Sequence, residues 1–181
     1  MKIKLKDVRL TFPSLWELNF FNKSETDIKK GNYEATFLID KSAQRDIIET
    51  VQNGINKLIN DELSGTKISS DRRCLRDGDE KDYDGYSGCM SLKSSTKHKP
   101  IIIDERKNPL TENNGKIYSG CYVNAIIELW AQNKAQGDGG KRINARLLGV
   151  QFSRNGMPLL SSSTASADDF DDVSDEVDVT F

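Results

Sequence analysis

Apolar and polar residues alternate along most of the chain, and in one stretch only do the apolar positions recur at helical spacing. In KIKLKDVRLTF, residues 2 to 12, Ile3 and Leu5 fall on one parity and Val8, Leu10 and Phe12 on the other. Alternation predicts a strand, and the change of parity near Asp7 predicts a bulge or bend within it. FPSLWELNFF, residues 12 to 21, is aromatic-rich and interrupted by Pro13, so it reads as a loop that runs on through polar chain to Lys30. NYEATFLID, residues 32 to 40, alternates again and predicts a second strand. From Ser42, a plausible N-cap, Ile47, Ile48, Val51, Ile55, Leu58 and Ile59 repeat at helical spacing up to the stop signal Gly65. They predict a helix of about five turns.

Residues 64 to 88 are polar and turn-rich and predict a long surface loop. Beyond it β patterning returns, in MSLKSSTK, in the short apolar run KPIIID, and in IYSGCYVNAIIELWAQ. In that last segment Cys121, Val123, Ala125, Ile127 and Leu129 share one face. QGDGGK predicts a hairpin loop and RINARLLGVQF the last long strand. There are no internal repeats. Five or more strands with one early helix predict a mainly β fold, a five-stranded OB-fold barrel with one long inserted helix. An immunoglobulin-like sandwich is the other arrangement of the same strands. SSSTASA, residues 161 to 167, has linker composition, so the expected organisation is a folded domain over 1–160 and a flexible linker with a disordered acidic tail over 161–181.

Charge changes the picture more than composition does. The formal net charge of −2 hides an asymmetry, because no Lys or Arg follows Arg154, while Asp168, Asp169, Asp171, Asp172, Asp175, Glu176 and Asp178 all do. Setting those seven aside leaves 21 acids against 26 Lys and Arg, a body of about +5. A basic body with an acidic tail points to a nucleic-acid partner for the body and a separate task for the tail. No apolar run approaches the roughly 18 residues of a membrane-spanning helix, and the start lacks an apolar signal core, so a cytosolic protein is expected. Cys74, Cys89 and Cys121 are odd in number and widely spaced, and His98 is the only histidine. They read as reduced structural thiols, with no metal and no cofactor expected.

The chemistry of the polar residues favours binding over catalysis. The acidic run Asp77-Gly78-Asp79-Glu80-Lys81-Asp82 invites a Mg²⁺ nuclease or Ca²⁺ reading, yet it has Lys81 and Asp82 where an EF-hand loop needs an acceptor and Gly. A solvated turn region is the plainer reading. Gly139-Gly140-Lys141 lacks the Ser or Thr of a phosphate loop, and no nucleophile has motif surroundings. By contrast Arg142 and Arg146 alternate along one face of the last strand, and Lys93 and Lys97 along an earlier one. Tyr122 and Trp130 lie on the outer parity of the 117–132 strand, with Tyr86 and Tyr118 at strand margins. Basic stripes interleaved with aromatic rings are what a single-stranded nucleic-acid groove requires. Solvated sheet faces and ordinary edge packing are the plainer readings of the same residues.

LRDGDEKDYDGYSGCMSLKSSTKHKPIIID, GKIYSGCYVNAIIELWAQ and RINARLLGVQFSRNGMPL, in this order and after the opening VRLTFPSLWE, resemble bacteriophage OB-fold single-stranded DNA-binding proteins. The resemblance spans most of residues 5 to 160. It implies a non-enzymatic, sequence-tolerant binder of single-stranded DNA in phage replication and recombination, acting in the host bacterial cytoplasm. The tail DDFDDVSDEVDVTF, with Phe170 inside it and Phe181 at its end, resembles that of the podophage-type replicative binders. That likeness implies recruitment of phage or host replication and recombination proteins. Its carboxylates could also occupy the basic groove in the absence of DNA. A homodimer, through the tail or a strand edge, is a further expectation. A metal-dependent nuclease and a protein-interaction scaffold are the competing functions.

Overall fold

The computed structural model describes residues 1–159 apart from 23, 25 and 26. The expected linker and acidic tail therefore lie outside the described residues. Seven strands form one sheet in the order β3-β4-β2-β1-β6-β7-β5. They are β1 (Lys2–Asn19), β2 (Asn32–Asp40), β3 (Leu75–Asp77), β4 (Cys89–Thr96), β5 (Ile101–Ile103), β6 (Tyr122–Gln132) and β7 (Arg142–Arg154). A parallel pairing of Ser95 in β4 with Arg146 in β7 closes five of them, β1-β2-β4-β7-β6, into a barrel. That is the OB-fold circuit, so the expected class holds, with β3 and β5 added outside the five.

The barrel closes around the apolar parity of each strand. Leu5, Val8 and Leu10 of β1, Phe37 and Ile39 of β2, Leu92 of β4, Ile127 of β6 and Leu147 of β7 are all buried at or below 1% exposure. Each such side chain contributes about 1.5–3 kcal/mol through its removal from water. The one α-helix among the described residues, α1 (Arg45–Glu62), has the five turns its periodicity predicts. It lays Val51, Ile55, Leu58 and Ile59 onto the same core. Its N-cap is Gln44 rather than Ser42. Ser42 instead donates to Asp40, whose carboxylate also accepts from the Ala43 N–H.

The parity change near Asp7 is a bulge. Pairing of β1 with β6 shifts between Leu5 and Val8, and Asp7 takes φ +50°. A second irregularity departs from the expected loop at Pro13: β1 continues to Asn19, and its pairing with β2 shifts between Thr11 and Ser14. Proline is tolerated there because a bulge needs no ladder N–H. Phe12 at that bulge takes φ +47°, so its ring does not follow Leu10 inward and is 41% exposed. A positive φ is costly for a bulky residue and persists only where its surroundings hold it. The predicted loop 64–88 also contains structure, namely β3 and the 3-10 turn Gly78–Glu80.

Candidate nucleic-acid interface

Residues 73–76 lie across the opening between β4 and β7, which pair in register only at Ser95 and Arg146. Arg73 bridges to Ile143, the Cys74 N–H donates to the Ile143 carbonyl at 2.8 Å, and the Lys93 N–H donates to the Cys74 carbonyl at 3.0 Å. Arg76 then pairs with Ser91. This wedge sets Arg72, Arg73 and Arg76 above the outer faces of β4 and β7. With Lys93 and Arg142 they line a cavity of about 260 Å³, floored by Ser95, Asn144 and Ala145, in which Glu34 is the lining carboxylate. Arg73 donates to the Ile68 carbonyl, and Arg76 to the carbonyls of Arg73 and Asp71. These are neutral acceptors, and although the Asp71 carboxyl feels the charge of Arg76, neither guanidinium is held in a salt bridge among the described residues.

The cavity continues into a second one of about 320 Å³, with Glu34, Cys74, Arg76 and Lys93 shared between them. Its far wall is aromatic. Phe12 meets Tyr83 at 5.4 Å and Tyr86 at 6.4 Å between ring centroids, and the two tyrosines meet at 5.2 Å, all edge-on. Tyr83 is 51% exposed, whereas Tyr86 is buried against Leu38 and Leu159 and its phenol is pushed up to about 12 by that burial. Tyr86 is thus the post on which the two exposed rings lean. The burial of Cys74 at the groove floor likewise pushes its thiol up to about 11.

The acidic loop braces this shelf. Lys41, at the end of β2, donates to Asp77 at 2.5 Å and to Asp79 at 2.6 Å. Asp77 accepts from the Asp79 N–H and Asp79 from the Gly88 N–H. Both carboxyls are held below the usual range, first of all by the hydrogen bond from Lys41. Among the described residues, no three His, Cys, Asp or Glu side chains gather as a metal-holding group.

The structure brings together some of the residues singled out by alternation and separates others. Lys93 and Arg142 line the basic cavity, and Tyr86 supports its aromatic end. Lys93 lies 3.2 Å from Glu34, and Arg146 on the same outer face lies 3.1 Å from Glu128. Trp130, 37% exposed, flanks the groove opposite Asn144. Lys97 points elsewhere, its ammonium donating to the carbonyls of Lys29 and Gly31 at 2.7 and 2.9 Å. The Tyr118 hydroxyl donates to the Gly156 carbonyl at 2.9 Å and ties down the chain after β7. Tyr122 has the Arg154 guanidinium 3.6 Å from its ring centroid and that of Arg9 at 5.9 Å. Arg154 is in turn held by Asp7 at 3.0 Å. Asp168, Asp169, Phe170, Asp171, Asp172, Asp175, Glu176, Asp178 and Phe181 lie outside the described residues. Alternation missed Phe12, Tyr83, Arg72, Arg73 and Arg76; three arginines within DRRCLR were the signal available for the last three.

Comparison with known proteins adds to this geometry. A family model described as Enterobacter phage Enc34, ssDNA-binding protein, matches residues 1–180. Protein p50 of Acyrthosiphon pisum secondary endosymbiont phage 1 is 40% identical over 183 residues, covering 96% of this chain and 95% of that protein. The single-stranded DNA-binding protein from bacteriophage Enc34, solved in complex with ssDNA, shares the fold with a TM-score of 0.74 at 24% identity, covering 87% of this chain and 88% of that one. The bacteriophage T7 single-stranded DNA-binding protein gp2.5 superposes with a TM-score of 0.52 at 12% identity, over 94% of this chain and 97% of that one.

Proposed function

The chain belongs to the Enterobacter phage Enc34 ssDNA-binding protein family, and from that premise we propose that it binds single-stranded DNA along the β2–β4–β7 face. One observation carries the reading: two half-exposed rings open directly into a groove whose cations outnumber its carboxylate. Bases stack on Phe12 and Tyr83, and phosphates meet Arg72, Arg73, Arg76, Lys93 and Arg142. Both contacts are indifferent to base identity, so the protein coats any exposed strand. The family is one of binding proteins rather than enzymes, and two of the carboxylates that suggested a nuclease, Asp77 and Asp79, are engaged by Lys41.

The role that follows is protection of unwound strands in phage DNA replication and recombination, inside the infected bacterium. The acidic residues 168–178 compete with DNA for the basic groove, and Phe181 serves capture of replication proteins. Titration with a homopolymer strand, followed by Trp16 and Trp130 fluorescence across salt, tests the binding. The logarithm of affinity should fall with the logarithm of salt by about 0.7 per phosphate neutralised. Equal affinity for single strand and duplex at the same salt refutes the reading. Deleting 168–181 should tighten binding most at low salt, and unchanged binding leaves the tail a recruitment device alone. Phe181→Ala should spare DNA binding and weaken capture of replication proteins in a pull-down. Sizing by light scattering tests the homodimer.

A further inference from the structure

Beyond the groove, on the far side of Arg72, lies a second cationic chamber of about 480 Å³, roofed by the β6–β7 hairpin and walled by the loop that leaves α1. Lys67, Arg72, Lys134 and Lys141 line it together with Thr66 and Gln136. Among the described residues no carboxylate lines it, and none of its four cations forms an ion pair. The hydrogen-bond partners of Lys141 and Arg72 are neutral: Lys141 donates to Thr66 at 2.8 Å and to the Leu63 carbonyl at 3.4 Å, and Arg72 to the Gly139 carbonyl at 3.2 Å.

We propose that this chamber holds the phosphodiester backbone of the strand after it leaves the groove, so that the bound DNA runs from the aromatic shelf past Arg72 into the space under the hairpin. The inference rests on reading the groove as a single-strand site. Two features support this path. An incoming phosphate must compete with Glu34 for Lys93 and with Glu128 for Arg146, whereas here it displaces no carboxylate. The two spaces are also adjacent, because Arg72 lines both, and Arg72 and Arg142 both donate to the Gly139 carbonyl. Gly140, at φ +67°, makes that junction possible, since a Cβ there would collide with the Arg72 guanidinium. Capping of the α1 C-terminus accounts for Lys141, which reaches the Leu63 carbonyl, but not for Lys67 or Lys134.

The test compares two strand lengths on the full chain. Lys67→Gln with Lys134→Gln leaves Arg72 and Lys141 in place, and an unchanged melting temperature establishes that the double variant is folded. Binding of an oligothymidylate of about six nucleotides, enough to fill the groove, should be unchanged, while one of about 25 should bind at least about fivefold more weakly at low salt. The salt slope for the longer strand should become shallower by about 1.4, two phosphates at about 0.7 each. Equal weakening at both lengths, or none at either, overturns the chamber while leaving the groove reading intact. If the length-dependent difference vanishes in a chain lacking 161–181, the chamber held the acidic tail instead, and the proposal falls. Failure of the unaltered protein to bind either strand removes the groove reading and the chamber with it.

Discussion

Aromatic rings meet cationic side chains at several places on this barrel, and two of them are wired oppositely. At Tyr122 the ring is covered by Arg154, and Arg154 is held by Asp7, so ring, cation and anion form a closed circuit within the protein. At the Phe12, Tyr83 and Tyr86 cluster the rings touch one another edge-on, and the neighbouring Arg76 is held by backbone carbonyls. One constellation has satisfied itself, whereas the other still has ring surface and charge to offer. Proximity of tyrosine and arginine therefore identifies a stacking platform only when the partners are not already engaged with each other.

The comparison breaks most decisively at the shelf. Phe12→Ala combined with Tyr83→Ala should lower single-strand affinity by at least about 30-fold, at about 1–3 kcal/mol per stacked base, read by fluorescence anisotropy. A loss below threefold would put the bases elsewhere. Arg142→Ala should make the salt slope shallower by about 0.7 in the same titration. Glu34→Gln works in the opposite direction, freeing Lys93 from its 3.2 Å partner, and should tighten binding by up to about fivefold at low salt. Tyr122→Ala should leave DNA affinity within about twofold and lower the melting temperature instead, since its ring is packed by the protein's own arginine.

The smallest effect is one of pH. The hydrogen bond from Arg154 holds the Asp7 carboxyl below its ordinary value of 3.8. A depressed carboxylate contributes stability above its unfolded value and loses it as pH falls through the folded one. The melting-temperature gap between the unaltered protein and Asp7→Asn should therefore be full at neutral pH and close below about pH 3.8. A gap that persists in acid would mean that Asp7 acts through its bulge geometry rather than its charge.

Much of the fold was legible because periodicity reports burial directly. The five turns of α1, the extents of β2 and β4, and the bulge at Asp7 all follow from which residues had to face the core. The site was less legible, for physical reasons. Pro13 reads as a strand breaker unless a bulge is known to accommodate it, and parity alone groups Phe12 with Val8 and Leu10 and does not show that its ring turns outward. β3 has three residues, too few to establish a period, and its arginines were lost in a polar loop. Lys97 shares the parity of Lys93, yet it lies beyond the last residue of β4, where alternation no longer determines direction.

The brace from Lys41 to Asp77 and Asp79 couples the aromatic shelf to the composition of the solution. It is a surface ion-pair cluster, so dissolved salt weakens it, as it weakens the phosphate contacts proposed for the basic groove. In the proposed binding mode, rising ionic strength acts at both ends of the site at once: it loosens the support beneath the rings and weakens the hold of the arginines on phosphate. On that proposal, release is a concerted response to the medium, and dilution restores the support and the charge attraction together.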